Sequence, residues 1–224
     1  MSTKHWYFED VNLFKIMCPK KLAAHDAETH ASKEYDKGET IYFTYDKSST
    51  LYLIVSGKVR LLNYTEGGDE VVKAILGRGE MFGELALLGE EERNEVAEAM
   101  EDGTRVCPVN VQDVQALMLD DQEFSFKIHK WIGYRMKKME RRIDNLVFKD
   151  VRSRLVDFIK ELADEKGEEK NGQLEVPHFF THKNIAHLIG TSRQTVTTTL
   201  NELREEGLLD FDRRHFYILK PREF

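Results

Sequence analysis

Cysteine is scarce in this chain. Its 224 residues hold two cysteines and four prolines. Two cysteines are too few for a framework of several disulfides, and Cys18 and Cys107 match no metal or redox spacing. Two thiols are also too few to hold an iron–sulfur cluster. Both are read as small buried or half-buried thiols of a reducing compartment. Long apolar runs are missing too. No segment reaches the roughly 20 apolar residues of a membrane span, and no N-terminal stretch resembles a signal peptide. A cytoplasmic protein without membrane contact is expected. Basic charge is not in excess: 33 Lys and Arg stand against 40 Asp and Glu, a net charge of −7. Such a chain can bind a polyanion only through a local basic face. A His-x-His pair is lacking in the strand-rich half, which argues against a cupin-like metal enzyme. His25, His30 and His129 carry no supporting pattern for an axial haem ligand.

The most informative stretch present is His182–Leu203. It reads as two short helices joined at a tight turn. Ile185, Leu188 and Ile189 line one apolar face, and Val196, Leu200 and Leu203 line the other at helical spacing. Ala186 allows a close crossing. Gly190 falls where the chain must take a positive φ. Thr191-Ser192-Arg193-Gln194 reads as a capping box opening the second helix. This is the pattern of a DNA-reading helix-turn-helix. The outward face carries Ser192, Arg193, Gln194, Thr197, Thr198 and Asn201, and no acidic residue occurs from Thr181 through Asn201. Arginine can bond guanine twice and glutamine adenine twice. Thr181, Thr191 and the other hydroxyls suit phosphate oxygens or a thymine methyl, and the Lys183 ammonium suits a phosphate. Leu208–Phe211 and Phe216–Leu219 then read as a hairpin, the wing, with Arg213 and Arg214 at its tip as candidate phosphate contacts.

Upstream, residues 1–110 read as a small antiparallel β-barrel or jelly-roll domain. A helical start near Val11–Ala27 precedes short strands at Thr40–Tyr45, Thr50–Val55, Lys58–Asn63, Glu70–Leu76 and Val96–Val109. Residues 111–149 read as a dimerisation helix and hinge, with the hinge at Phe148–Asp150. Ile132, Met136, Met139, Ile143 and Leu146 alternate spacings of four and three, a coiled-coil seam that Ile128 extends backward by one turn. A parallel homodimer is expected. Residues 150–224 form the winged helix-turn-helix domain, opening with the amphipathic helix Val151–Ala163. Asp164–Gly172 reads as a charged loop, and Gln173–Val176 with His178–Phe180 as a short strand pair. The fold class is α+β: an antiparallel β jelly roll, a long dimerisation helix and a C-terminal winged helix-turn-helix.

Three stretches make the chain resemble the Crp/Fnr family of bacterial transcription regulators: Gly79–Leu88 followed by Arg93, Asn145–Val151, and Ile189–Val196. The first is similar to the family's phosphate-binding cassette. The resemblance implies a cyclic-nucleotide-binding-like barrel with Gly83, Glu84, Leu85, Arg93 and Asn94 as candidate effector contacts. In it, Glu84 would accept from a ribose hydroxyl and Arg93 would fork onto a phosphate. A structural alternative pairs Glu84 with Arg93. Nucleotide-binding relatives carry Ser or Thr after the cassette arginine, then a small apolar residue. Here Asn94 and Glu95 stand there, and the positions of the adenine-contacting hydroxyl pair, also candidate effector contacts, hold Met139 and Glu140, neither of which has a hydroxyl. Cyclic AMP or another small anionic ligand is the candidate effector. The implied partners are double-stranded DNA with an inverted-repeat operator, a second copy of the chain, and RNA polymerase. No catalytic residue or metal ligand is expected. The alternative function is a nucleotide-sensing regulator of a protein partner.

Overall fold

The computed structural model describes residues 32–170, 172–221 and 223–224. The expected helix near Val11–Ala27 lies outside them, as does Cys18. The chain divides into two compact units after Ile132.

The first unit holds two four-stranded antiparallel sheets. One has the order β1 (Lys33–Tyr35), β8 (Thr104–Asn110), β3 (Thr50–Ser56), β6 (Met81–Phe82). The other has the order β2 (Thr40–Tyr42), β7 (Val96–Ala99), β4 (Val59–Tyr64), β5 (Glu70–Leu76). The stretch Val96–Val109, read from sequence as one strand, is two, because Met100–Gly103 turns the chain between β7 and β8. Alternation along β3 sorts its side chains to two cores. Ile54 joins Tyr42, Val59, Leu61, Phe82 and Val106 in one core, with Tyr52 packed on it. Leu51 and Leu53 join Val109, Val114, Phe124, Ile128 and Trp131 in the other. Cys107 is buried in that second core.

The helical run after Asn110 is also two elements, α1 (Val111–Asp120) and α2 (Gln122–Phe148). Asp121 is extended, and its carboxylate accepts from the Phe124 N–H at 3.0 Å, restarting the helix. Ile128 was expected in the dimer seam. It is instead fully buried in its own unit's core, with Ile132 packed partly against it. The α2 turn that carries Ile128 thus serves intrachain packing, and the uncovered apolar stripe begins at Met136.

The second unit runs from Gly133. It contains the end of α2, then α3 (Val151–Lys166), β9 (Glu168–Lys170), β10 (Gln173–Pro177), α4 (His182–Ile189), α5 (Arg193–Glu205), β11 (Leu209–Phe211) and β12 (His215–Ile218). Its sheet order is β11-β12-β10-β9. The charged segment read as a loop supplies the last turn of α3 and all of β9. Residues His178–Phe180 are not a strand, and β10 pairs with β9 and β12 instead. Leu155 and Ile159 of α3, Ile185 and Ala186 of α4, Val196 and Leu200 of α5, and Phe216 of the wing close one core.

The turn between α4 and α5 follows its sequence. Gly190 has φ 69, and a Cβ there would lie 2.6 Å from Leu146 Cδ2. Gly190→Ala is therefore expected to cost about 1–3 kcal/mol through backbone strain and overlap with Leu146. A thermal melt checks it, and an unchanged midpoint refutes it. The expected hinge is spanned within this unit. Arg154 donates to Lys149 O at 3.2 Å and to Gly190 O at 3.1 Å, and Arg142 donates to His187 O at 3.1 Å. Lys138 lies 2.9 Å from Glu165 and 3.4 Å from Glu161.

Candidate nucleic-acid interface and effector cleft

The reading helix opens at Ser192, whose hydroxyl accepts from Thr195 N–H at 3.0 Å. The capping box read at Thr191–Gln194 is not formed there. A reciprocal box opens α4 instead: Thr181 Oγ1 accepts from Asn184 N–H and Asn184 Oδ1 from Thr181 N–H, both at 3.1 Å. The reason is register. Ser192, one residue later than the sequence reading placed the box, is the last non-helical residue, so its third neighbour is Thr195 rather than Gln194.

Burial of Val196, Thr199, Leu200 and Leu203 fixes which face of α5 is free. Ser192, Arg193, Gln194, Thr198 and Asn201 are exposed together, with Thr191 and Thr197 half-buried beside them. Thr181 and Lys183 are exposed at the start of α4. Thr197 is already engaged: its hydroxyl donates to Arg193 O at 3.0 Å and lies 2.8 Å from His182 Nδ1. The spacing of apolar and polar residues assigns His182 no role in the site. Burial and the nearby Arg193 charge hold its imidazole below its ordinary pKa, so it is neutral at pH 7 and suited to donate to Thr197.

At the wing, Arg213 and Arg214 are exposed. Asp212 shapes that tip by accepting from Arg214 N–H at 2.6 Å, His215 N–H at 2.8 Å and the Tyr217 hydroxyl at 3.0 Å. These bonds, that from Arg214 N–H foremost, hold its carboxyl down to about 2. Beneath lies His178, 9% exposed, stacked on Phe216 with ring centroids 3.9 Å apart. Neither of its ring nitrogens has a hydrogen-bond partner. Burial pushes its pKa from 6.5 down to about 4, against the opposing charge of Asp212. The unfolded chain therefore takes up this proton first. Stability from neutral His178 is complete above pH 6.5 and is lost as pH falls through about 4. His178→Phe should remove about 2 kcal/mol of the acid-induced loss between pH 7.5 and 4.5. Urea unfolding at both pH values checks it, and equal losses in both proteins refute it.

The cassette residues come together in the first unit. Gly83, Glu84, Leu85, Arg93 and Asn94 line one cleft with Tyr42, Glu90 and Glu95. Only about 10 Å³ of space remains among them, the room of a single water. Arg93 fills the rest. It is 4% exposed and donates to Gly83 O at 3.1 Å and to Thr50 O, with its guanidinium 4.5 Å from the Tyr42 ring centre. Gly83 (φ 76) is needed for that approach, since a Cβ there would lie 2.7 Å from Arg93 Nη1. Tyr52 and Phe82 stack at 5.0 Å behind Tyr42. Asn94 donates to Glu90 at 2.9 Å. Glu95 lies 2.8 Å from Lys73 Nζ and accepts from the Tyr42 hydroxyl at 3.3 Å. Burial first, and then the Glu95 charge, pushes that hydroxyl's pKa far up, so it stays a donor. The larger groove alongside, about 510 Å³, is lined by Glu90, Glu91 and Glu92. Nothing in the residue pattern signals that Lys73 and Tyr42 meet Glu95.

Met139 and Glu140 belong to the second unit, where both are exposed on α2. Met136, Met139, Ile143 and Val147 form an uncovered apolar stripe there. Leu146 is 44% exposed, but its side chain also approaches Gly190. Among the described residues no group of three or more His, Cys, Asp or Glu is placed to hold a metal, and no helix is long and apolar enough to cross a membrane.

A jelly roll of this kind, followed by a winged helix-turn-helix with a free reading face, defines a DNA-binding transcription regulator with a sensory barrel. Residues 32–121 match the model of the cyclic nucleotide-binding domain, and residues 153–224 match that of the Crp-like helix-turn-helix domain. The chain is 35% identical over 177 residues to the cyclic AMP receptor protein of Thermus thermophilus, covering 78% of this chain and 77% of that protein. It is 27% identical to the global nitrogen regulator of Synechococcus elongatus, over 84% of this chain and 86% of that one. Among solved structures it is similar to a CooA mutant from Carboxydothermus hydrogenoformans, with a TM-score of 0.75 and 26% identity over 86% of this chain and 84% of that one. The chain belongs to the Crp/Fnr family of transcription regulators.

Proposed function

We propose that the protein acts in the cytoplasm as a homodimer that reads an inverted-repeat operator with two copies of α5. One observation carries this: the exposed Ser192–Arg193–Gln194 edge of α5, with Thr198 and Asn201, is held outward by a fully buried opposite face. Arg193 and Gln194 would read base edges. Thr181, Lys183, Thr191, Arg213 and Arg214 would hold phosphates. The stripe Met136–Met139–Ile143–Val147 supplies the dimer contact, since apolar residues repeating along a helix are stabilised by pairing with a second copy. Two half-sites about 34 Å apart then follow from the two-fold axis. RNA polymerase is the partner such a regulator would recruit or block.

The signal is assigned to the barrel. The Thermus relative is named for cyclic AMP. Cyclic AMP or any other small anion would need Arg93 as its anchor, with Glu84 on a ribose hydroxyl, and would have to draw Arg93 away from Gly83 and Thr50. A ligand shifts the regulator only by binding one arrangement of the dimer better than another. The test is selection of duplexes from a random library, with sedimentation of the complex. An enriched two-fold-symmetric sequence bound by two chains is expected. Failure to enrich any sequence overturns the reading in favour of a regulator that acts on a protein partner.

A further inference from the structure

We infer that this barrel refuses cyclic nucleotides, because Glu95, fixed by Lys73 and Tyr42, holds a negative charge in the same cleft as the arginine that a phosphate would need. The inference rests on the barrel being the sensory part and narrows what it can sense.

Three observations carry it. First, Arg93 is committed. Its guanidinium bonds two main-chain carbonyls, one from the cassette and one from β3, and lies over the Tyr42 ring. A phosphodiester would have to compete with charge-assisted bonds already made. Second, Glu95 cannot simply swing into solvent. Its side chain is 14% exposed and is anchored at both oxygens, one by Lys73 and the other by Tyr42. Lys73 is a positive charge supplied to a carboxylate of the chain itself, so the cleft already contains its own anion. Third, Glu84 and Glu90 line the same cleft. With Lys73 already spent on Glu95 and Glu84 the carboxylate that a ribose would engage, Glu90 and Glu95 leave Arg93 no surplus positive charge for a second anion, and a like charge close by disfavours the charged form of a ligand. Asn94 offers no relief, because its amide donates to Glu90.

Glu95 is therefore a specificity-determining residue, and the effector class left to this barrel is neutral or cationic. Operator binding should not depend on any cyclic nucleotide.

The experiment is calorimetry of the full-length protein with cyclic AMP and cyclic GMP. It is paired with fluorescence anisotropy on a duplex that the protein has itself selected. For the native protein no saturable heat is expected up to roughly 1 mM nucleotide, and operator affinity should change less than about twofold. The double variant N94S/E95A removes the carboxylate and restores a hydroxyl. It should bind cyclic AMP at least about 100-fold more tightly than the native chain. If that variant does not fold, E95Q keeps the side chain's size and loses only the charge, and a measurable gain in binding is expected from it. Micromolar binding by the native chain overturns the inference. Folded variants that stay as blind as the native chain overturn it too, because Glu95 is then not what excludes the nucleotide. Loss of all DNA binding in the native protein would instead strike the regulator reading, so the two failures are told apart.

Discussion

Met139→Glu is expected to convert a dimer into monomers and to weaken operator binding by at least about 100-fold. Met139 is 64% exposed on α2, between Met136 and Ile143 on the same apolar stripe. In a two-stranded pairing the residue meets its own symmetry mate. The substitution therefore puts two carboxylates face to face where apolar surface was to be buried, at the loss of that burial and with added repulsion. Each half-site is then bound separately, and the gain from tethering two reading helices disappears. Sedimentation velocity gives the oligomeric state, and a titration of the selected duplex gives the affinity. A dimer unaffected by the change would mean that another face of the chain pairs. Ile128→Glu should instead unfold the first unit, because Ile128 lies in that unit's core.

Arg193→Ala should lose about 1–3 kcal/mol per half-site, or roughly 5- to 150-fold, and should relax the preference at one base pair. The warrant is local. Arg193 is the first residue of α5, exposed, on a helix whose N-cap is satisfied by Ser192 and whose far side is buried. Its loss leaves the fold intact, so the whole effect is read in binding. Arg214→Ala provides the contrast. A phosphate contact carries no sequence information, so affinity should fall alike on every duplex, and the salt slope should drop by about 1. Binding measured at several salt concentrations on the selected duplex and its single-base variants separates the two. A uniform loss for Arg193→Ala would make it a phosphate anchor and move base reading to Gln194.

Much of this was legible in the residues. The apolar spacing of Ile185, Ile189, Val196, Leu200 and Leu203 marked the buried faces of α4 and α5, and Gly190 marked the turn with its positive φ. What misled was local ambiguity. Val96–Val109 alternates well enough to pass for one strand, and only the turn at Met100–Gly103 breaks it. The run after Asn110 lacks a helix breaker, yet Asp121 ends one helix and caps the next. Ile128 fits the seam's spacing, but spacing does not say whether a neighbour in the same chain or a second copy covers the face.

The sequence by itself determined the class of this protein: a jelly roll, a helix with an apolar stripe, and a winged helix-turn-helix with Arg193 and Gln194 facing outward. Those follow from periodicity and turn chemistry, which act over a few residues. The tertiary structure alone decided the state of the effector cleft. Arg93 finds Thr50 across 43 positions, and Glu95 finds Tyr42 across 53. A cassette motif states which groups are present, whereas the sheet register fixes which of them meet. Register is a property of the whole packed barrel, so the inward turn of one arginine is set by long-range packing.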